Sequence, residues 1–259
     1  MANGERTIAV TGASAGIGVA IAVEAAKLGW NVAIGARRRD RLAELGATLT
    51  NLGASQVAFE ALDVRQPESV DAFFAAAEAR LGLVDVIVNN AGMSIPSRFH
   101  EYPVEQIRAE VETNLLGSLF VTRRALSQLV QSRKRGDIVF MSSDAVRRPR
   151  PRQVVYGATK AALENFSDGL AQELEGSGIR VTKIRVGPTL TEFGSSWSLE
   201  RAAEQFEYWR GFGLRDARLL GALLPAEAVA RAVILAVTQP PGTWLDTVEI
   251  QPEAPIPDE

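Results

Sequence analysis

The feature that most constrains this chain is a repeated alternation of short apolar runs with longer segments of helical spacing. The runs V-D-V-I-V and D-I-V-F-M stay apolar instead of alternating, which predicts strands that are covered on both faces. Repeated strand-then-helix order predicts a parallel sheet with right-handed crossovers. The predicted strands are Thr7–Val10, Asn31–Ala36, Gln56–Leu62, Val84–Asn89, Asp137–Met141, Arg180–Val186 and Thr247–Ile250. The predicted helices include Val19–Leu28, Arg38–Leu52, Pro67–Leu81 and Glu105–Arg133.

Composition excludes several classes of protein. No linker or repeat divides the 259 residues, so we expect a single domain spanning 1–259. A net charge of −3 gives no general attraction to nucleic acid or to an anionic membrane. No apolar run approaches the roughly 18 residues of a membrane span, and no secretory signal pattern is present, so we expect a cytoplasmic protein. The absence of cysteine and the single histidine, His100, exclude disulfides and multi-histidine metal sites, and we expect no metal.

A glycine-rich turn, T-G-A-S-A-G-I-G, joins the first predicted strand to the first predicted helix. Gly12 permits a tight turn, Gly16 permits close approach of a ligand, and Gly18 permits close packing of helix on strand. The helix would then present free N–H groups to a pyrophosphate. A purely structural turn would use the same glycines, and their spacing departs from the commoner G-x-G-x-x-G. The position of the turn at the first strand-to-helix junction favours a dinucleotide site.

Arginines follow the second predicted strand in the run G-A-R-R-R. A site for the non-phosphorylated cofactor usually carries an acidic residue here. Arg37 and Arg38 instead offer guanidinium groups, which pair with a 2′-phosphate. This favours NADP(H) over NAD(H). The alternative, a solvated first turn of the next helix, applies most to Arg39.

Further motifs occur in a fixed order along the chain, and together they carry a family resemblance. They are L-D-V at Leu62–Val64, N-N-A-G at Asn89–Gly92, T-N-L-L-G around Asn114, I-V-F-M-S-S ending at Ser143, and Tyr156-x-x-x-Lys160. With the glycine turn, this series resembles the short-chain dehydrogenase/reductase family from Thr7 to Pro188. The resemblance implies a Rossmann-like three-layer α/β sandwich, with a seven-stranded parallel sheet and helices on both faces.

The resemblance also implies an assembly and a set of catalytic residues. We expect a homotetramer or homodimer, with Glu105–Arg133 and Tyr156–Glu175 as interface candidates whose apolar faces are equally compatible with the core. Tyr156 would be the general acid/base, and Ser143, thirteen residues before it, would hydrogen-bond the substrate oxygen. Lys160 shares a helix face with Tyr156 and would favour its phenolate. By resemblance alone, Asn114 would hold a water that links Lys160 to solvent.

Each of these residues also has a purely structural interpretation. Tyr156 and Lys160 would then be an exposed helix pair, Ser143 a cap at a strand end, and Asn114 a helix N-cap. The joint order and spacing favour the catalytic interpretation.

The cofactor is expected to contact residues distributed over the first two thirds of the chain. They are Gly12, Ser14, Gly16, Ile17, Gly18, Arg37, Arg38, Asp63, Val64, Asn90, Ala91, Gly92, Tyr156, Lys160, Pro188, Thr189 and Thr191. The segment G-P-T-L-T-E-F departs from the family pattern, because Thr189 replaces a glycine and Phe193 stands at the usual threonine position. Either Thr189 or Thr191 would then contact the nicotinamide carboxamide.

Two segments stay open to more than one interpretation. The loop R-R-P-R-P-R-Q carries Arg147, Arg148, Arg150 and Arg152, and it either recruits an anionic substrate, pairs across a subunit interface, or is a solvated basic loop. Asp144 either faces the substrate or pairs with one of these arginines. The aromatic-rich segment at about 193–220 is either a substrate lid or an amphipathic helix on the core, and His100 is expected at the surface.

The sequence therefore predicts an NADP(H)-dependent oxidoreductase that interconverts a small-molecule ketone or aldehyde and an alcohol. One alternative is reduction of an activated C=C or C=N bond, which an intact Ser143 disfavours. Another is a cofactor-binding regulatory protein with incidental catalysis, which the presence of both Tyr156 and Lys160 disfavours. Nucleic-acid binding is disfavoured by the net charge and the lack of a recognised motif.

Overall fold

The computed structural model describes residues 6–194, 203–205, 207–209 and 223–253. Seven strands form one parallel sheet in the order β3-β2-β1-β4-β5-β6-β7. They are β1 (Thr7–Thr11), β2 (Asn31–Ala36), β3 (Val57–Ala61), β4 (Val86–Asn89), β5 (Gly136–Ser143), β6 (Ile179–Val186) and β7 (Thr247–Ile250). The strand order reverses direction between β1 and β4, and such a switch point opens a crevice at the carboxyl ends of the strands.

Helices cover both faces of the sheet, as the sequence predicted. They are α1 (Gly16–Lys27), α2 (Arg39–Asn51), α3 (Pro67–Leu81), α4 (Val104–Val111), α5 (Gly117–Ser132), α6 (Val154–Glu173) and α7 (Ala226–Val237). Helices α1, α2 and α7 share one apolar core with the sheet, and α3, α5 and α6 share the other. The predicted three-layer α/β sandwich is therefore confirmed, and the two cores fix the strand ends that carry the site.

The predicted helix Glu105–Arg133 is confirmed as a continuous helical stretch at 104–132, but it is not α-helical throughout. Helices α4 and α5 are separated by a π-helical turn, Glu112–Leu116, with Asn114 at its centre. The side chain of Asn114 is fully buried and bonds to the backbone of Met93, which draws this turn toward the end of β4. A π-bulge is a common device at functional sites, but the apolar spacing continues through it and gives no sequence signal.

Several predictions fall partly outside the described residues. Of the predicted lid at about 193–220, only residues 193–194, 203–205 and 207–209 are described, and the chain beyond Glu253 is not. Within the described ranges, no helix combines the length and apolarity that a membrane span requires. The same ranges hold no cluster of three acidic or histidine side chains suited to a metal ion. His100 is exposed and lies 3.3 Å from Glu101, in agreement with its predicted place at the surface.

Candidate active site

A cleft of about 640 Å³ runs along the carboxyl ends of the strands. Nearly all of the sequence-predicted site residues line it. They are Gly12, Ser14, Gly16, Ile17, Arg37, Arg38, Asp63, Val64, Asn90, Ala91, Gly92, Ser143, Tyr156, Lys160, Pro188, Thr189 and Thr191. Gly18 and Asn114 lie behind the cleft wall and support it through packing and hydrogen bonds. The fold therefore brings together motifs that are spread over 180 residues of sequence.

The glycine turn forms the wall of the cleft between β1 and α1. Gly12 and Gly16 have φ values of +67° and +57°, a region that favours glycine. A Cβ atom on Gly18 would stand 2.7 Å from the Gly12 oxygen, so Gly18 serves close packing. The Asn90 side chain donates to the Thr11 oxygen at 2.8 Å and so holds the turn against β4. No side chain caps the N-terminus of α1 at Ala15, which leaves its first N–H groups facing the cleft end.

Basic side chains border the cleft at the end of β2. Arg38 donates through Nε and Nη2 to the Ser14 hydroxyl at 3.1 and 3.0 Å, so it lies directly over the glycine turn. Arg37 is exposed at the cleft edge. Arg39 instead pairs with Glu60 and lies over the ring of Phe59, away from the cleft. Arg39 therefore does not face the cleft, and Arg37 and Arg38 stay the candidates for a 2′-phosphate.

Asp63, which follows β3, is already paired in this structure. Its carboxylate forms a two-oxygen contact with the guanidinium of Arg65, with a shortest distance of 2.6 Å. The hydrogen bonds from Arg65 hold the pKa of Asp63 below its usual value. Val64 packs against Gly117, where a Cβ atom would meet the valine side chain at 2.6 Å. The family resemblance of L-D-V implies that the Asp63 side chain meets the adenine edge of the cofactor, and Arg65 would orient the carboxylate for that contact.

Helix α6 and the end of β5 bring Ser143, Tyr156 and Lys160 to the same wall. Lys160 is buried, and its Nζ donates to the Met141 oxygen at 2.7 Å and lies 5.8 Å from the Tyr156 ring centroid. Tyr156 is half-buried, so the exposed-pair interpretation is wrong. Ser143 ends β5 and accepts a hydrogen bond from the Ala145 N–H at 3.2 Å. Ser143 therefore acts as a local cap while also lining the cleft.

The electrostatic setting of this wall differs from the sequence expectation. Burial raises the pKa of Tyr156 to about 12, while a hydrogen bond with Ser143 and the charge of Arg150 act in the opposite direction. Burial lowers the pKa of Lys160 to about 8. The sequence argument expected Lys160 to favour the phenolate of Tyr156. Here desolvation dominates both groups, so the tyrosine is protonated at neutral pH and the lysine is the stronger acid.

Asn114 connects the π-turn to the loop beneath the cleft. Its Oδ1 accepts from the Met93 N–H at 2.8 Å, and its Nδ2 donates to the Met93 oxygen at 2.9 Å and to Thr159 at 3.2 Å. A Cβ atom on Gly92 would lie 3.4 Å from Asn114 Oδ1 and 3.7 Å from Lys160 Nζ. Asn114 is therefore not a helix N-cap, and it lies close to the amine it is expected to serve.

Arg150 and Asp144 form a buried ion pair in the cleft wall beside Ser143. The guanidinium donates to both carboxylate oxygens, at 2.6 and 3.0 Å, and the two side chains are 11% and 3% exposed. Of the two possibilities for Asp144, pairing with an arginine is confirmed. The sequence reasoning did not single out Arg150 as a cleft residue, because the four arginines of its loop look equivalent in sequence.

The rest of the arginine loop receives the aromatic segment. The Pro151 oxygen accepts from Trp209 Nε1 at 2.9 Å, and Arg152 pairs with Glu204 at 3.0 Å and lies 3.9 Å from the Tyr208 ring centroid. Arg152 adopts a left-handed conformation, φ +64°, which turns its side chain toward this segment. Arg147, in contrast, pairs with Glu249 at the surface. Pro151 and Arg152 therefore form a docking surface for the described residues 203–205 and 207–209.

The segment that follows β6 closes the remaining side of the cleft. The Leu190 N–H donates to the Leu224 oxygen and the Leu224 N–H donates to the Pro188 oxygen, so Thr189 forms a bridge with Leu224. Thr189 Oγ1 donates to the Gly187 oxygen at 2.9 Å, whereas Thr191 contacts Gly16. Phe193 lies edge-on to Tyr156, with ring centroids 5.8 Å apart. Thr191 is thus the threonine nearer to the glycine turn, and Phe193 lies against Tyr156.

Comparisons with known proteins agree with this geometry. A profile of the family described as short chain dehydrogenase matches residues 6–202. An uncharacterized oxidoreductase of Staphylococcus epidermidis is 32% identical over 248 residues, which span 96% of this chain and 97% of that protein. An alcohol dehydrogenase from the archaeon Thermococcus sibiricus, complexed with 5-hydroxy-NADP, superposes with a TM-score of 0.81 at 28% identity over 98% of this chain and 100% of its own. The closed form of a serine dehydrogenase complexed with NADP+ gives a TM-score of 0.83 at 30% identity, over 95% and 94% of the two chains.

Proposed function

Since this chain belongs to the short-chain dehydrogenase/reductase family and is an oxidoreductase, we propose that it uses NADP(H) to interconvert a carbonyl compound and an alcohol. The observation that carries the proposal is the convergence of Ser143, Tyr156 and Lys160 on one wall of a cleft that begins at an uncapped helix N-terminus.

The cleft fits a phosphorylated dinucleotide at three places. Gly16 lines the cleft next to the uncapped N–H groups of α1, where a pyrophosphate would bind, and Thr191 borders this place. Arg37 and Arg38 supply positive charge where a 2′-phosphate would lie. Gly92 lines the cleft beside Lys160 and Phe193, where the nicotinamide ring would lie. The nicotinamide would supply or accept the hydride, and the chain would supply orientation and the proton.

The proton chemistry follows from the two perturbed groups. A tyrosine with a pKa of about 12 is protonated at neutral pH, so Tyr156 would act as a proton donor to a carbonyl oxygen. Ser143 would hydrogen-bond the same oxygen as negative charge develops on it. Lys160, with a pKa of about 8, is acidic enough to return a proton to tyrosinate. Asn114, fixed by its contacts with Met93 and Thr159, would hold a water that links Lys160 to solvent.

Residues 203–205 and 207–209 would form part of a lid over the substrate end of the cleft. Trp209 is 5% exposed and lines the cleft together with Leu223, Phe193 and Arg150. This end is therefore largely apolar, with one neutralised ion pair in its wall. We propose a substrate with an apolar body, because Asp144 already satisfies the charge that would otherwise attract an anion.

The proposal is tested by NADPH oxidation against a panel of aldehydes, ketones, enones and imines, with each product identified. We expect turnover with aldehydes or ketones to the alcohol, and a loss of about 10²- to 10³-fold in Ser143→Ala, because the hydrogen bond to the developing oxyanion is removed. Turnover confined to enones or imines, or an unchanged rate in Ser143→Ala, would overturn carbonyl chemistry.

A further inference from the structure

The segment after β6 crosses the cleft from the glycine turn to the catalytic wall. Thr191 marks one end, with its Cβ 3.0 Å from the position of a Cβ atom on Gly16. Phe193 marks the other end, with its ring against Tyr156. Glu192 lies between them in a short 3-10 turn, Glu192–Gly194. The side chain at this position is therefore held near the cleft by contacts on both of its sides.

Glu192 binds Arg38, which lies over the glycine turn, and Arg41 of helix α2. Its Oε2 accepts from Arg38 Nη1 at 3.1 Å and from Arg41 Nη1 at 2.8 Å, and its Oε1 accepts from Arg41 Nη1 at 3.0 Å. These hydrogen bonds, that of Arg41 first, hold the pKa of Glu192 below its usual value. At neutral pH the Glu192 side chain is therefore an ionised carboxylate that is paired with Arg38 and Arg41 at the cleft.

Four of the five N–H donors of Arg38 are already in use. Nε and Nη2 bond to the Ser14 hydroxyl, Nη2 also points to the Ser14 oxygen at 3.3 Å, and Nη1 bonds to Glu192. A phosphate takes a guanidinium through two parallel N–H groups. An incoming phosphate must therefore displace Glu192 or Ser14 from Arg38. Displacement of Glu192 also relieves repulsion between the carboxylate and the phosphate.

We propose that Glu192 is an internal competitor for the 2′-phosphate of the cofactor, and that it sets how strongly this enzyme prefers NADP(H) over NAD(H). The inference rests on the proposed NADP(H)-dependent function. A cofactor that lacks the 2′-phosphate leaves the pair between Glu192 and Arg38 intact and gains nothing from removal of the carboxylate. A cofactor with the phosphate has to break that pair before Arg38 is available.

The expected size of the effect of Glu192 on NADP(H) binding follows from the solvent exposure of its ion pairs with Arg38 and Arg41. Glu192 is 47% exposed, and Arg38 and Arg41 are 44% and 43% exposed. Ion pairs this accessible each shift an equilibrium by about 1.4- to 5-fold, so the two together correspond to about 2- to 30-fold. The effect should shrink at high salt, because exposed charges are screened. Glu192 would therefore adjust the preference between cofactors without abolishing binding.

The test is equilibrium titration of NADPH and NADH, followed by cofactor fluorescence, with no substrate present. Wild type is compared with Glu192→Gln, which keeps the side-chain shape and removes the charge. The control is Glu24→Gln, which removes the same charge from the exposed pair with Lys27 and lies outside the lining of the cleft. Each titration is repeated at about 0.5 M salt, where the Debye length is only a few ångströms.

We expect Glu192→Gln to bind NADPH about 2- to 30-fold more tightly at low salt and NADH within about twofold of wild type, with both constants unchanged in Glu24→Gln. Weaker NADPH binding in Glu192→Gln, or an equal change for both cofactors, would overturn the competitor role. A separate variant, Arg38→Ala, tests the proposed function. If wild type prefers NADPH and Arg38→Ala does not lose that preference, the 2′-phosphate assignment fails, whatever Glu192→Gln does.

Discussion

Replacement of Asp144 by asparagine should destabilise the protein far more than its isosteric shape suggests. The carboxylate is 3% exposed and holds both terminal nitrogens of Arg150, whose side chain is 11% exposed. Removal of the negative charge leaves a guanidinium that is nine-tenths buried without a counter-ion, and breaking such a pair costs about 3–5 kcal/mol. An asparagine oxygen retains one hydrogen bond, so we expect about 3 kcal/mol. This is a large share of the roughly 5–15 kcal/mol that stabilises a typical domain.

The assay is urea unfolding of wild type, Asp144→Asn, Arg150→Met and the double variant. The double variant removes both charges, and we expect it to recover most of the loss, because an apolar replacement of a buried pair is often neutral or stabilising. Glu249→Gln is the matched control. Its partner Arg147 is 62% exposed, so this acid-to-amide change should cost no more than about 1 kcal/mol.

Two results would refute this reasoning. One is an Asp144→Asn protein within about 1 kcal/mol of wild type, which would mean that water or another group neutralises Arg150. The other is a double variant no more stable than Asp144→Asn, which would mean that the carboxylate stabilises the fold through contacts other than the Arg150 charge. Asp144 raises the pKa of Tyr156, so an active Asp144→Asn protein should also titrate at lower pH.

Three further predictions concern the same wall. Because burial lowers the pKa of Lys160 to about 8 from 10.5, the wild-type fold carries a desolvated ammonium below pH 8 and gains stability as pH rises through 8 toward 10.5. The free energy of unfolding of wild type, measured relative to that of Lys160→Met by urea titration, should therefore rise by about 2 kcal/mol between pH 7 and pH 9.5. A difference between the two proteins that stays constant with pH would contradict this. Trp209→Phe removes the hydrogen bond to the Pro151 oxygen, so the KM for the carbonyl substrate should rise about 2- to 10-fold while the Kd for NADPH stays unchanged. A change in the Kd for NADPH with an unchanged KM would place Trp209 outside the substrate end of the cleft. Because Tyr156 has a pKa of about 12, kcat/KM for alcohol oxidation should rise from pH 7 to pH 10 without a plateau, and a plateau near pH 8 would assign the titration to another group.

The fold could be predicted from sequence because its strands and helices are encoded locally. Most strand bounds differ from the predictions by two residues or fewer, and the helix Pro67–Leu81 agrees at both ends. A buried parallel strand needs an unbroken apolar run, and a proline at the first helical turn marks a start. The π-turn at Glu112–Leu116 follows from the resemblance of T-N-L-L-G to the segment that supplies the family's helix-bulge asparagine. Local spacing alone does not indicate it, because the turn depends on the contact of Asn114 with Met93, 21 residues away.

The positions of the motif residues that face the cleft could be predicted from sequence. The ion pairs and pKa values of the site could not, because they depend on which side chains the fold brings into contact. The positions of Ser143, Tyr156 and Lys160 follow from a strand end and one helix face. The pairing of Arg150 with Asp144, and of Glu192 with Arg38, has no periodic signal, because each joins a loop residue to a partner that the tertiary fold selects. The pKa of Tyr156 was expected to fall, and burial, which composition does not reveal, raises it instead.

The most direct test of the account is Tyr156→Phe, measured in two ways on the same preparation. The ring and its contact with Phe193 remain, so the Kd for NADPH should change by less than about twofold. Turnover of NADPH with the carbonyl substrate that wild type uses best should fall by about 10²- to 10⁴-fold, because the proton donor is gone. Turnover within about tenfold of wild type, with NADPH binding intact, would contradict the assignment of Tyr156 as the general acid.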